Sequence, residues 1–420
     1  MFSQLRIPMS DMLICLSNAI DLVNPSIANH NRQVACLASF IAEEMGVPGE
    51  ERLDILIAGL LHDIGALSLG ERLALLNFDV QNAERHAELG YRHIRSFAPL
   101  AGIAPLVRFH HHHYDAPLPA TLRDSLVPRG SYIIHLADRI AILMKGDSCV
   151  LDQARFIGET IRPGSGRIFH PEAVEAFLGL AGKEHFWLTV SSRAMDTYIS
   201  RKMEALDVRL DIVAAMQCAR LFGRVIDFRS RFTAIHSSRV AMVAESLAGH
   251  AGMSPSECAG MKIAGYLHDL GKLVVPAEIL DKGEALTQDE WSMMRSHSFH
   301  TYHLLEEIEG FEQINRWASS HHERLDGKGY PFHHRGASLS YGDRIVAVAD
   351  IFTALTEDRP YRPGLSLPDT LRTLRDMADE SAIDGDVTQI AHRVSSELEG
   401  IRIEAEREVA REYEAFIREA

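Results

Sequence analysis

The stretch Tyr266-Leu267-His268-Asp269-Leu270-Gly271-Lys272 places a histidine directly before an aspartate inside an apolar, helical run. Imidazoles and carboxylates are seldom buried unless they are paired or bound to a metal, because removing a charge from water is costly. Neighbouring side chains on a helix point about 100° apart, so both reach one cleft only if the helix lines it. The stretch therefore indicates a helix along a metal-binding cleft, although one isolated His-Asp pair would more often arise by chance.

The same pattern occurs twice in the chain at matched spacing. In each copy a histidine, His30 or His236, stands 32 positions before the His-Asp pair. In each copy a later histidine stands 24 positions before two adjacent histidines, and a further aspartate closes the set. The first copy comprises His30, His62, Asp63, His86, His110, His111 and Asp138, and the second comprises His236, His268, Asp269, His297, His321, His322 and Asp350. Chance does not produce this agreement, so the chain is predicted to contain two homologous domains.

Helical patterns dominate both copies. Ser254-Pro255-Ser256-Glu257 and Thr287-Gln288-Asp289-Glu290 are capping boxes, which predict the starts of the helices that carry His268 and His297. Strand-like alternation is sparse and no βαβ rhythm is present. The predicted fold class is all-α, with two tandem helical domains of one duplicated fold. The expected boundaries are residues 1–195 for the first domain, 196–225 for a connecting helix and 226–420 for the second domain with its C-terminal helix.

Composition narrows the partners and the compartment. The formal net charge is −15, which argues against binding to DNA or RNA duplexes and to anionic membranes. No run approaches the roughly 20 apolar residues of a membrane span. The five cysteines are scattered without CxxC spacing, and the first residues lack the apolar core of a signal peptide. A cytoplasmic location is therefore expected.

The second copy offers more ligands than one metal needs. Its five imidazoles and two carboxylates suit two divalent metal ions with Asp269 between them, whereas one zinc ion needs only four ligands. Nitrogen and oxygen ligands without thiolate fit iron or manganese better than structural zinc, with zinc as an open alternative. Two such ions would activate a hydroxide at neutral pH and hold a phosphodiester for in-line attack. Lys272, one helical turn after His268, would neutralise a phosphate oxygen, although on its own it would suit a solvent-facing position.

The motif His321-His322-Glu323-Arg324-Leu325-Asp326-Gly327-Lys328-Gly329-Tyr330-Pro331 identifies a family. Together with His268-Asp269-Leu270-Gly271-Lys272 and Asp358-Arg359-Pro360-Tyr361-Arg362, it closely resembles the HD-GYP phosphodiesterases of bacterial cyclic-dinucleotide signalling. The resemblance implies two HD-type domains and hydrolysis of cyclic di-GMP or cyclic GMP-AMP to the linear 5'-phosphorylated dinucleotide. It also implies an iron-type centre bridged by Asp269.

The resemblance further implies a role for each matching residue. One metal would be held by His236, His268, Asp269 and Asp350, and the other by Asp269, His297, His321 and His322. Substrate contacts would come from Lys272, Arg359, Arg362, Gly329, Tyr330 and Pro331. Some family members bind a third metal through a glutamate and an aspartate at positions where this chain has Phe232 and Thr353. Neither side chain replaces a hard carboxylate, so two metals are expected in this domain.

The first copy resembles a plain HD domain. It keeps all seven metal-type residues, but Ala66 replaces the lysine, Ala116-Pro117-Leu118-Pro119-Ala120 replaces the GYP loop, and the arginine pair has no equivalent. We expect this copy to bind metal as well. Its role is open between an accessory 5'-phosphatase, a regulatory or dimerising domain, and a site that has lost its function.

Two rival functions remain open. One is a non-catalytic sensor of the cyclic dinucleotide, and the other is an HD-type nucleotide phosphohydrolase or oxygenase. Lys272, the GYP loop and the arginine pair argue against the second alternative for the C-terminal copy. The macromolecular partners considered are a second copy of this chain, as a homodimer, and a signalling protein.

Overall fold

The computed structural model describes residues 5–22, 29–66, 83–119, 122–123, 125–146, 148–227, 235–358 and 363–418. The chain divides into two compact units, Leu16–Val208 and Met1–Cys15 together with Arg209–Glu419. We call them the first and second domains, after the copy of the pattern that each contains. Both are helical. The strands among the described residues are two, each of two residues, and they pair with each other, so the predicted all-α class is confirmed.

The helix bounds are as follows. The helix Met9–Asp21 includes residues of both domains. The first domain contains the α-helices His30–Glu44, Gly49–Leu61, Ala83–Arg95, Ala104–Arg108, Arg129–Leu143, Val150–Ile161, Pro171–Ala181, Glu184–Val190 and Ala194–Met203, with 3₁₀ turns at Ala98–Ile103 and Arg162–Gly164. The second contains Ile212–Asp227, His236–His250, Pro255–Leu267, Ala277–Leu280, Gln288–Glu306, Glu312–Ser319, Tyr341–Thr356, Leu367–Asp379, Gly385–Arg393 and Ser395–Arg418, with 3₁₀ turns at Leu270–Val274 and Gly336–Ser338. Within these described stretches, no helix combines the length and the apolarity that a membrane crossing requires.

The duplicated pattern is also a duplicated packing arrangement. In the first domain, the helix His30–Glu44 packs against the helices Gly49–Leu61 and Arg129–Leu143. In the second, the corresponding helix His236–His250 packs against Pro255–Leu267 and Tyr341–Thr356. Each copy thus sets its first histidine, its His-Asp pair and its closing aspartate on neighbouring elements.

Both predicted capping boxes are present. Ser254 Oγ accepts a hydrogen bond from the backbone N–H of Glu257, and Thr287 Oγ1 accepts one from that of Glu290. Each glutamate accepts in return from the backbone N–H of its capping residue. These bonds satisfy donors that the first turn of a helix leaves unpaired. The two helices therefore begin where the sequence predicts.

The segment between the two copies differs from the expected single helix over residues 196–225. The helix Ala194–Met203 ends before it, and a second helix begins at Ile212. Between them Arg209–Leu210 forms an antiparallel pair with Ile7–Pro8. An extended backbone is needed for that pairing, so a continuous helix is impossible here.

Two matched glycines in each copy allow the close packing that builds the site. A Cβ on Gly265 would lie 2.5 Å from the Ala241 Cα, and one on Gly59 would lie 2.8 Å from the Ala35 Cα. The packing is closer still around the glycine that stands two positions after each His-Asp pair. A Cβ on Gly271 would lie 1.9 Å from a backbone oxygen of the neighbouring helix. These positions exclude any side chain, because real Cβ atoms do not approach other atoms so closely.

A candidate metal centre in each domain

The second domain brings the seven metal-type side chains of its copy to one buried cluster. The ligand-bearing residues lie at helix ends or within helices: His236 begins one helix, His268 directly follows another, and His297 lies within Gln288–Glu306. His321 and His322 follow the helix Glu312–Ser319, and Asp350 lies within Tyr341–Thr356. Apart from the half-buried His322, every member of the cluster is buried.

Asp269 lies at the centre of this cluster and directs one oxygen toward each half. Its Oδ2 lies 3.5 Å from His236 Nε2 and 3.2 Å from His268 Nε2. Its Oδ1 lies 3.5 Å from His297 Nε2 and 3.9 Å from His321 Nε2, and this buried oxygen accepts no hydrogen bond. A buried carboxylate oxygen without a hydrogen bond is costly unless a cation compensates it. The arrangement therefore fits a carboxylate that bridges two metal ions.

Asp350 and His322 complete the two halves. Asp350 Oδ1 lies 3.2 Å from His236 Nε2 and 3.8 Å from His268 Nε2, while its Oδ2 lies 3.8 Å from His322 Nδ1. The ligand atoms fall into groups whose members lie within 4.8 Å of one another: His236, His268 and Asp350 form one, and His297, His321 and His322 form another. A third such group, formed by His268, Asp269 and His321, joins the two.

Hydrogen-bond acceptors hold the outer ring nitrogens of these histidines. Nδ1 of His268, His297 and His321 donates to the backbone carbonyl three residues earlier, at 2.7, 2.6 and 2.6 Å. His236 Nδ1 donates instead to the Glu357 carboxylate at 3.0 Å. A proton on Nδ1 leaves Nε2 as the metal-binding nitrogen, and such acceptors also fix the orientation of the ring.

Burial and neighbouring charges set the protonation of the cluster. Burial lowers the pKa of His297 to about 3 and the pKa of His322 to about 4, because a charged imidazole is disfavoured away from water. Burial alone would raise the pKa of Asp269, but His268 and Lys272 outweigh it and hold that pKa well below its ordinary value. Neutral imidazoles and an ionised carboxylate are the forms that bind metals.

Lys272 stands at the edge of the cluster. Its Nζ lies 2.5 Å from Asp269 Oδ2, and its side chain is 16% exposed. The ammonium therefore lies beside the proposed metal centre, within reach of an anionic substrate bound to it. The phosphate-binding role of Lys272 stays a prediction.

The GYP loop packs against the histidine pair. The Tyr330 ring lies 4.8 Å from the His322 ring and 6.4 Å from the His297 ring, and Pro331 follows it. Gly329 has no room for a side chain, because a Cβ would lie 2.5 Å from the carbonyl oxygen of His322. A glycine is thus required for the close packing of this loop against the histidine pair.

The first domain assembles its own seven residues in a similar way. His30 Nε2 lies 3.2 Å from Asp138 Oδ1, and the Nε2 atoms of His62, His86 and His110 lie 3.5, 3.5 and 4.0 Å from Asp63 Oδ1. His111 Nε2 lies 3.1 Å from His86 Nε2. His62 Nε2 is buried and makes no hydrogen bond. A buried ring nitrogen without a partner fits a metal ligand, so this cluster is also suited to a cation.

Comparison with known proteins agrees with the duplication. A family model for the HD domain matches residues 27–143, and another matches residues 220–387. The chain is 30% identical over 394 residues to the 3'3'-cGAMP-specific phosphodiesterase 1 of Vibrio cholerae, with 91% of each chain covered. The chain belongs to the HD-GYP family of cyclic-dinucleotide phosphodiesterases.

Other HD-GYP relatives extend the comparison. The 3'3'-cGAMP-specific phosphodiesterase 3 of Vibrio cholerae is 26% identical over 432 residues, which cover 89% of this chain and 92% of that protein. The cyclic di-GMP phosphodiesterase response regulator RpfG of Xanthomonas campestris is 34% identical over 42% of this chain and 49% of its own length. A crystal structure of a cyclic GMP-AMP specific phosphodiesterase of Vibrio cholerae covers 93% of this chain with a TM-score of 0.63 at 22% identity, which shows a shared fold.

Three residues singled out by comparison with HD-GYP motifs lie outside the described residues. They are Arg359 and Arg362, predicted to contact substrate, and Phe232, at one position of the third-metal site. Thr353, at the other position of that site, is buried.

Several supporting residues of this HD-GYP domain were not predicted from the sequence. Glu357 holds His236 and accepts a further hydrogen bond from Arg239 at 3.2 Å. Glu323, which lies within the quoted motif, is buried and accepts hydrogen bonds from the backbone N–H groups of residues 332–334 at 2.6, 3.1 and 2.9 Å. The Arg295 guanidinium lies 4.9 Å from the centre of the Tyr330 ring. Of these residues, only Glu323 belongs to a motif quoted from the sequence.

Proposed function

We propose that the second domain hydrolyses one phosphodiester bond of a cyclic dinucleotide and releases the linear 5'-phosphorylated dinucleotide. The observation that carries the proposal is the position of Asp269, with one oxygen toward each of two histidine groups. Bridged two-metal sites are a recurrent means of hydrolysing phosphodiesters by in-line attack.

The substrate that we propose first is 3'3'-cyclic GMP-AMP, with cyclic di-GMP second. Two relatives that align with about nine-tenths of this chain are named 3'3'-cGAMP-specific phosphodiesterases. The relative named as a cyclic di-GMP phosphodiesterase response regulator aligns with 42% of it. Long alignments include both domains, so they favour the first substrate.

The proposed ligand sets share the central carboxylate. One set is His236, His268, Asp269 and Asp350, and the other is Asp269, His297, His321 and His322. Iron is the proposed metal and manganese the alternative, since the set contains imidazole and carboxylate without thiolate. Two divalent cations in these sets would supply a nucleophilic hydroxide at neutral pH and neutralise phosphate charge.

The remaining residues of the site would bind and orient the substrate. Lys272 would turn from Asp269 toward a non-bridging phosphate oxygen, because its ammonium lies at the exposed edge of the cluster. Tyr330 and its neighbours Gly329 and Pro331 would form one wall of the pocket. Arg359 and Arg362 are proposed as further phosphate contacts, from the family motif.

The first domain is proposed to bind metal and to act as an accessory 5'-phosphatase or a regulatory domain. The seven residues of its cluster support the metal site, while the absence of the lysine and of the GYP loop argues against the same reaction. The boundaries near residues 195 and 226, a cytoplasmic location, and a homodimer or a signalling protein as partner also remain proposals. Five free cysteines and the acidic net charge support the location.

The test is turnover of 3'3'-cyclic GMP-AMP and cyclic di-GMP by the full chain, loaded anaerobically with Fe²⁺ or with Mn²⁺. Products are separated by chromatography and identified by mass. A linear product with one terminal 5'-phosphate, formed faster from cyclic GMP-AMP, is expected. Binding of the cyclic nucleotide without turnover under both metals would favour the sensor instead.

A further inference from the structure

The two clusters differ at their closing aspartates. In the second domain, Asp350 Oδ1 lies within 3.8 Å of both His236 Nε2 and His268 Nε2, and the three form one group of close ligand atoms. In the first domain, the corresponding Asp138 lies 3.2 Å from His30 but takes no part in the group of close ligand atoms that contains this histidine. The group of close ligand atoms around His30 therefore contains Asp63 but lacks the closing aspartate.

A buried arginine accounts for this difference. Arg139 Nη2 lies 2.6 Å from Asp138 Oδ2, and the two side chains are 3% and 2% exposed. The corresponding residue in the second domain is Ile351. The guanidinium compensates the charge of Asp138, and it repels any second cation that approaches the same carboxylate in a poorly solvated interior.

Lys272 does not have the same effect on the second cluster. It contacts Asp269, but its side chain is 16% exposed and can turn toward water or an anionic substrate. Arg139 instead directly follows its partner Asp138 in the chain, and its side chain is only 3% exposed.

The other half of the first cluster is intact. The ligand atoms of Asp63, His86, His110 and His111 all lie within 4.8 Å of one another. Four ligands, including one carboxylate, are enough to hold a divalent ion with tetrahedral coordination. The remaining group contains His30 and His62 and shares Asp63 with the first.

We propose that the first domain holds one metal ion firmly and a second only weakly, because Arg139 occupies the carboxylate that would complete the second site. The firm site comprises Asp63, His86, His110 and His111, and the weak site comprises His30, His62 and Asp63. This inference rests on the proposed function, in which both domains bind metal. The full chain then retains about three metal ions rather than four, two of them in the second domain.

The experiment counts metal on the full chain. Protein loaded with Mn²⁺ is dialysed against citrate, a weak chelator, and the bound metal is measured by mass spectrometry. Wild type is expected to retain about three ions, and Asp269→Ala about one, because that variant loses the pair in the second domain. Adding Arg139→Ile to Asp269→Ala is expected to restore a second ion, through affinity about tenfold or more higher at the weak site.

A reciprocal variant tests the same effect in the second domain, so that the result does not depend on the folding of an Arg139 variant. Ile351 is half-buried, so Ile351→Arg should be tolerated, and it is expected to cost the second domain one ion. Thermal melting identifies any unfolded variant, and Arg139→Met replaces Arg139→Ile if that one unfolds. Two ions or none on Asp269→Ala, with two more on wild type, or no gain from either Arg139 variant, would overturn the inference alone. Failure of the proposed function is distinguishable, because Asp269→Ala would then retain the same count as wild type.

Discussion

Replacing the central carboxylate is the sharpest perturbation of the proposed centre. Asp269→Asn preserves the size of the side chain but removes its charge, and it puts an amide N–H₂ group where one oxygen faces a histidine pair. In the structure, Oδ2 lies 3.2–3.5 Å from one pair and Oδ1 lies 3.5–3.9 Å from the other. Both metal positions are therefore expected to lose their shared anionic ligand at once.

The magnitude follows from the burial of the residue. Asp269 is 2% exposed, so little water can replace the lost charge. Removing one partner of a buried ion pair costs about 3–5 kcal/mol. That energy corresponds to about 10²- to 10⁴-fold in metal affinity, since each 1.4 kcal/mol is about a factor of ten. We expect hydrolysis of the cyclic dinucleotide to fall by at least about 10²-fold.

The assay pairs metal analysis with turnover of 3'3'-cyclic GMP-AMP at a fixed, limiting concentration of Mn²⁺. Asp289→Asn is the matched control, because it makes the same chemical change at an exposed position in the first turn of a helix. If Asp269→Asn kept two metal ions in its domain and more than about a tenth of the wild-type rate, the bridging role would be refuted.

The remaining predictions concern the residues around the ligands. Glu357→Gln removes the charge on the acceptor of His236 and should weaken metal binding about 10- to 100-fold, with activity recovered at high Mn²⁺ in a metal titration. Lys272→Met should lower kcat about 10²-fold or more while metal analysis shows an unchanged content, and loss of metal instead would assign the lysine to structure. Gly271→Ala should destabilise the domain by about 1–3 kcal/mol or more in denaturant unfolding, whereas Gly283→Ala, with nothing within 4 Å of its added Cβ, should not.

Several features of the site follow from local sequence rules. The capping boxes at Ser254 and Thr287 predict the helix starts, because caps depend on residues three positions apart. Gly271 is predictable in the same way, as part of a motif beside the His-Asp pair. The matched spacing of the two copies predicts the duplication, because equal spacing along homologous chains places side chains at equivalent points of the fold.

The supporting contacts depend instead on distant parts of the chain. Glu357 meets His236 across 121 positions, and no local pattern marks that approach. The break between the helices Ala194–Met203 and Ile212–Asp227 depends on pairing with Ile7–Pro8, some 200 residues earlier. Hydrogen bonds and ion pairs of this kind are set by packing, which local propensity does not encode.

The sequence alone determined the all-α class, the two HD copies and the identity of the candidate ligands, because these depend on residue type and spacing. Only the tertiary structure decided that Asp269 directs its two oxygens to different histidine pairs, and that Arg139 engages Asp138 in the first domain. The direction of a carboxylate oxygen or a guanidinium is fixed by the side chains that surround it, and those come from helices far apart in the chain.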